Sequence, residues 1–136
     1  MANTVTKTRQ SASLKTMLVE NDATTLDGST YVAIIDAVDV ESYDRASIQV
    51  LSNDEGGGLT CQVWGSLFDS AEALPVTNSK WVQVGDDVVV TASSGSLKAI
   101  STTALRLLAV TVKATDGSST TVITAGDCKV FLQGTI

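Results

Sequence analysis

Residues 44–66, DRASIQVLSNDEGGGLTCQVWGS, constrain the fold more than any other stretch, because two alternating apolar runs flank a glycine-rich link. In the first run Ala46, Ile48 and Val50 share one parity while Ser47 and Gln49 share the other, the period of a half-buried strand. In the second, Cys61 and Val63 alternate with Thr60, Gln62 and Trp64. The link between them, 53–58, offers residues that tolerate positive φ and is longer than a tight two-residue turn. The stretch therefore predicts a β-hairpin with an exposed tip.

Similar signals recur along the chain. Residues 13–19 alternate weakly, and 21–28 read as a loop ending in an Asp27-Gly28 turn. The nearly continuous apolar run TYVAII at 30–35 predicts a strand covered on both faces. Residues 67–80 lack periodicity and contain Pro75, which predicts a long loop with a helical turn over 70–74; long loops in compact domains commonly make contacts. Short strands are expected at 81–84 and 88–91 around a turn at 85–87, then a break at 93–96 and an edge strand at 97–103. The longest strand is expected at 105–113, with Leu108, Val110 and Val112 on one side and Leu107, Ala109 and Thr111 on the other. Its Leu107-Leu108 doublet predicts a bulge. Asp116-Gly117 predicts a hairpin that pairs 105–113 with 120–124, and 128–134 closes the sheet with Val130 and Leu132 opposite Phe131. Eight or so short strands with turn signals between them predict an all-β fold, an antiparallel β-sandwich of jelly-roll-like form.

At 136 residues, 43% of them apolar, the chain is long enough for one packed core. No apolar run reaches the roughly 20 residues of a membrane-spanning helix, and the first ten residues lack the apolar stretch of a secretory signal, so synthesis in a cytoplasm is expected. A net charge of −6 argues against nucleic acid as a partner. The charge is unevenly spread: Lys7, Arg9 and Lys15 precede Glu20 with no acid among them, while the remaining six bases face fifteen acids. This pattern predicts an extended N-terminal arm over 1–19 ahead of a sandwich domain over 20–136. A basic arm on an acidic body reads as an element that docks on an acidic surface; the plain alternative is a frayed terminus.

Catalytic constellations are sparse. There is no histidine, and Trp64-Gly65-Ser66-Leu67-Phe68 lacks the final glycine of a nucleophile elbow. Gly56-Gly57-Gly58 is followed by Leu59, not by the Lys-Ser or Lys-Thr of a phosphate loop. Cys61 and Cys128 each occupy a position suited to a small buried apolar residue, so free core thiols are expected, and two cysteines without histidine make no zinc site. The acids Asp36, Asp39, Glu41 and Asp44, like Asp86-Asp87, match no calcium loop and read as solvated. No cofactor and no metal are expected. Trp64 and Trp81 read as core or interface anchors.

Taken together, Ile48-Gln49-Val50, Val63-Trp64-Gly65-Ser66, Trp81-Val82-Gln83-Val84 and Leu105-Arg106-Leu107-Leu108-Ala109-Val110 with its following hairpin form an order that resembles small β-sandwich virion proteins of tailed bacteriophages. These form decoration or cement knobs on the head, with related modules in tails and fibres. The resemblance spans 31–136 and leaves the basic arm without a counterpart. It implies a non-enzymatic protein on the capsid exterior that binds the major capsid protein as a homotrimer and braces the shell. Lys7, Arg9 and Lys15 would then meet an acidic shell surface, with Trp64 and Trp81 as further partner-binding residues. The alternative it leaves open is a tail or fibre module that binds carbohydrate or a receptor.

Overall fold

The computed structural model describes residues 3–10, 15–52, 58–68, 79–91, 94–103, 105–115 and 120–134. These residues form twelve strands and no helix. One sheet runs β1 (Asn3–Gln10), β2 (Lys15–Asn21), β12 (Cys128–Gly134), β5 (Arg45–Ser52), β9 (Ser94–Ser101). The second runs β4 (Val32–Asp39), β10 (Leu107–Ala114), β6 (Leu59–Ser66), with β7 (Val82–Gln83) and β8 (Val88–Val90) sharing the far edge of β6. A separate pair, β3 (Thr24–Asp27) and β11 (Thr120–Ile123), brings Leu26 and Ile123 into the core. Every pairing is antiparallel, so the expected antiparallel sandwich is the observed architecture.

Alternation along the strands builds the core. From the first sheet Val19, Ala46, Ile48, Val50, Val130 and Leu132 point inward; from the second, Leu59, Cys61, Val63, Leu108, Val110 and Val112 meet them. The outward residues Gln49 and Phe131 remain exposed, as their parity requires. Ile34 and Ile35 are adjacent in sequence yet both fully buried. The β10–β4 register shifts twice, between Leu108 and Val110 and between Val110 and Thr111, and each shift inserts an extra residue in β4. The bulge expected at the Leu107-Leu108 doublet thus falls in the partner strand.

Several pairings differ from those read off the sequence. β5 and β6 are not a hairpin: β5 lies between β12 and β9 in one sheet, β6 between β10 and β7–β8 in the other. The strands on either side of the glycine-rich link belong to different sheets, and the exposed tip expected there lies outside the described residues. The expected pairing of 105–113 with 120–124 is likewise replaced, since β10 bonds to β4 and β6 while β11 bonds to β3. The segment 1–19, expected as an extended arm, contributes β1 and the first five residues of β2, and β2 bonds to β12 over residues 15–20. The helical turn expected over 70–74 lies outside the described residues. Twelve strands appear where about eight were expected: β1 and β3 fall where no strand was expected, β3 within the expected loop at 21–28, and the weak alternation at 13–19 proves to be β2.

Gly85, at φ 76°, makes the break between β7 and β8. Lys98 reaches across from β9 and its Nζ donates to the carbonyls of Val84 and Asp86, each at 3.0 Å, so an ammonium pins this turn to the opposite sheet. A Cβ at position 85 would lie 2.6 Å from that Nζ as well as in a left-handed conformation. Gly85→Ala is expected to destabilise the fold by about 1–2 kcal/mol, seen as a lower urea midpoint at unchanged slope.

Both cysteines are free and buried. Burial, with the Asp87 carboxylate second, pushes the Cys61 thiol up to about 12, and burial raises Cys128 well above its ordinary range. An unfolded thiol ionises near pH 8.5, so above that pH the unfolded chain releases protons that the native one keeps. Stability is therefore fully present below about pH 8.5 and is lost as pH rises toward 12. Urea midpoints measured across that window should fall, and should fall less steeply in Cys61→Ala.

Candidate interaction surface

At the end of β6 the alternation runs out of side chain. Gly65 has the inward parity of Cys61 and Val63, and a Cβ there would lie 2.7 Å from Leu105 Cδ2. Leu105 and Val84 close over the glycine, and beside this contact lies a groove of about 380 Å³ bordered by Gly65, Leu67, Phe68, Val82, Val84 and Leu105. Its rim is unusually apolar for a surface: Leu67 is 67% exposed, Phe68 53% and Val82 69%. Ser66 Oγ donates to the Lys80 carbonyl at 2.9 Å and accepts the Phe68 N–H at 3.2 Å. One hydroxyl thus ties together the two points where residues 67–80 leave and rejoin the sandwich. Lys80 Nζ stands 5.3 Å from the centre of the Phe68 ring, a cation at the groove's edge.

The outer face of the second sheet carries a polar and aromatic group. Asp87 Oδ1 accepts from Gln83 Nε2 at 2.6 Å and from Gln62 Nε2 at 3.2 Å. Tyr31 precedes β4; burial, then the charge of the Asp87 carboxylate, raises its phenol above the ordinary range. Lys113 Nζ lies 4.9 Å above the Tyr31 ring. Asp87 thus fastens β7 to β6, and the amide oxygens of both glutamines are turned from the shared carboxylate.

The residues singled out in the sequence are scattered. Lys7 and Arg9 lie in β1, opposite Leu18 and Thr16 of β2. Lys15 opens β2, where its Nζ donates to Ser42 Oγ and lies 4.7 Å from the centre of the Tyr43 ring. Trp64 is half-buried, its Nε1 donating to Thr111 Oγ1 at 2.9 Å, and Trp81 is 5% exposed in a cluster with Leu107 and Ala109. Neither tryptophan borders the groove. Asp36 and Asp39 accept the backbone N–H groups of Ala37 and Glu41, and Glu41 pairs with Arg106 at 3.2 Å. Among the described residues no three histidines, cysteines or acids gather where a metal could sit. Sequence reading overlooked the groove; its signal is a glycine at an inward position of a strand, followed at once by Leu67-Phe68.

These features define a two-sheet all-β sandwich with an apolar opening at one end and no gathered acid group among its described residues. No family model matches the sequence, and no curated protein matches it. Among solved structures, the chain is similar to one described as "Bacillus endospore appendages form a novel family of disulfide-linked pili", with 18% identity over 93% of this chain and 92% of that one, TM-score 0.51. Matches also include infectious bursal disease virus Gx strain, at 11% identity over 96% of this chain and 34% of that one, TM-score 0.45. The Tobacco streak virus coat protein dimer matches at 11% identity over 88% of this chain and 85% of that one, TM-score 0.39. At these identities the likeness concerns the fold alone.

Proposed function

We propose that this protein is a non-enzymatic structural subunit that adheres to a larger assembly, as a decoration or cement protein on a bacteriophage head. The apolar groove carries the reading. Leaving Leu67, Phe68 and Val82 more than half exposed around one opening forfeits burial worth about 25 cal/mol per Å², and contiguous apolar surface of this kind marks a contact site. An apolar side chain of the major capsid protein would fill the groove between Leu67, Phe68 and Val82. One such contact is weak, but repetition across a symmetric shell multiplies it. The virion exterior is the matching location, with no substrate turned over. Charge reversal in the rim tests the reading: Phe68→Asp combined with Val82→Asp should reduce the protein's occupancy on purified heads at least tenfold while its melting curve stays unchanged. Full occupancy by the double variant would defeat it.

The outer-face group of Tyr31, Gln62, Gln83 and Asp87 favours a second reading, a tail or fibre module that binds carbohydrate. Half-buried Trp64 flanks Gln83, its cross-strand partner. Glycan-array binding lost in Trp64→Ala would support this reading over the first, and an array without signal would remove it.

A further inference from the structure

Two sheet edges on one flank of the sandwich have complementary character. β1 is the edge of the first sheet and β4 the edge of the second, and the two lie next to each other. Among the described residues β1 bonds only to β2 and β4 only to β10, so each presents a row of backbone N–H and C=O groups outward. Each strand is eight residues long. β1, NTVTKTRQ, contains Lys7 and Arg9 and no acid; β4, VAIIDAVD, contains Asp36 and Asp39 and no base. The flank is thus a basic edge beside an acidic edge of matched length.

We infer that the chain pairs with a second copy of itself through this flank, a two-fold axis setting β1 of each copy against β4 of the other. The same contact is then made twice, as an isologous interface requires. Each sheet of one copy continues into the opposite sheet of its partner, main-chain hydrogen bonds supplying the adhesion. Charge selects this pairing over the others the edges allow. β1 on β1 opposes four cations and β4 on β4 four carboxylates. β9, the other edge of the first sheet, contains Lys98 and no acid, so it offers a basic β1 no counter-charge. The pairing goes beyond the head-decoration reading and holds whatever the particle is. Because opposed charges contribute at an exposed edge, added salt should weaken it.

Size-exclusion chromatography with light scattering, at micromolar chain, gives the first test: a mass of twice 14.1 kDa is expected. Two charge-reversed proteins give the second. Lys7→Glu with Arg9→Glu makes both edges acidic, and Asp36→Lys with Asp39→Lys makes both basic. Each variant alone should run as a monomer, and an equimolar mixture should return the dimer mass, because every β1–β4 contact is then of opposite sign. Hydrogen exchange on the unaltered protein needs no substitution: amides of β1 and β4 should exchange more slowly at high chain concentration than at low. A monomeric unaltered protein, a mass of three chains, variants that stay dimeric alone, a mixture that stays monomeric, or exchange independent of concentration would each overturn the pairing.

Discussion

Leu108→Ala is expected to lower the stability of the fold by about 3–4 kcal/mol, the range for truncating a buried leucine whose surroundings relax only in part. Leu108 has no exposed surface and sits in β10, the strand bonded on both sides in the second sheet. Its cross-strand partners are Gly65 on one side and Val38 on the other. Glycine has no side chain to swing into the vacated volume, which places the loss high in the range. Urea unfolding followed by Trp64 and Trp81 fluorescence reads it directly: with a slope of about 1–3 kcal/mol per molar, the midpoint should drop by more than 1 M. A drop below about 0.5 M would mean that the sheets do not close over this position.

Asn21→Leu should cost about 3 kcal/mol, by a different mechanism. Asn21 is 1% exposed, and its side chain serves three backbone groups. Nδ2 donates to the carbonyls of Asp22 at 2.8 Å and Thr124 at 3.1 Å, and Oδ1 accepts the buried Cys128 N–H at 2.9 Å. Its own carbonyl accepts from Gly126, the turn residue at φ 84°. One amide therefore positions the start of β12, the strand between β2 and β5. Leucine has the same branched arrangement of four side-chain heavy atoms but strands the Cys128 N–H without a partner, and an unpaired buried donor costs more than the hydrogen bond contributed. Asn21→Asp, which keeps the acceptor, should retain part of the stability at neutral pH. If Asn21→Leu melts like the parent, the amide is not the fastening point.

The face each residue takes was legible in the sequence, whereas the neighbours of each strand were not. Ala46, Ile48 and Val50, or Val130 and Leu132, show their inward parity in the alternation itself, because a strand's side chains must take opposite faces in turn. Turns were legible where a backbone conformation demanded it, as at Gly85. Pairing carries no such local mark. β12 bonds to β2 more than a hundred residues earlier, and nothing in CKVFLQG names KTMLVEN as its neighbour. The glycine-rich link after β5 has length enough to cross the roughly 10 Å between packed sheets, so the same residues that fit a hairpin tip also fit a crossover. The groove escaped notice for a related reason: it borders the place where Leu105 packs over Gly65, a contact made only once β6 and β10 pair. Trp81, conspicuous in the sequence as a partner-binding residue, is covered by the packing of Leu107 and Ala109.

The central claim is that this sandwich works by attachment through its apolar opening. Cryo-electron microscopy of purified particles tests it most directly. The account predicts the two-sheet sandwich on the outer surface of the head, with Leu67, Phe68 and Val82 facing the shell. Particles that lack the protein, or a sandwich attached with that opening turned to solvent, would contradict it.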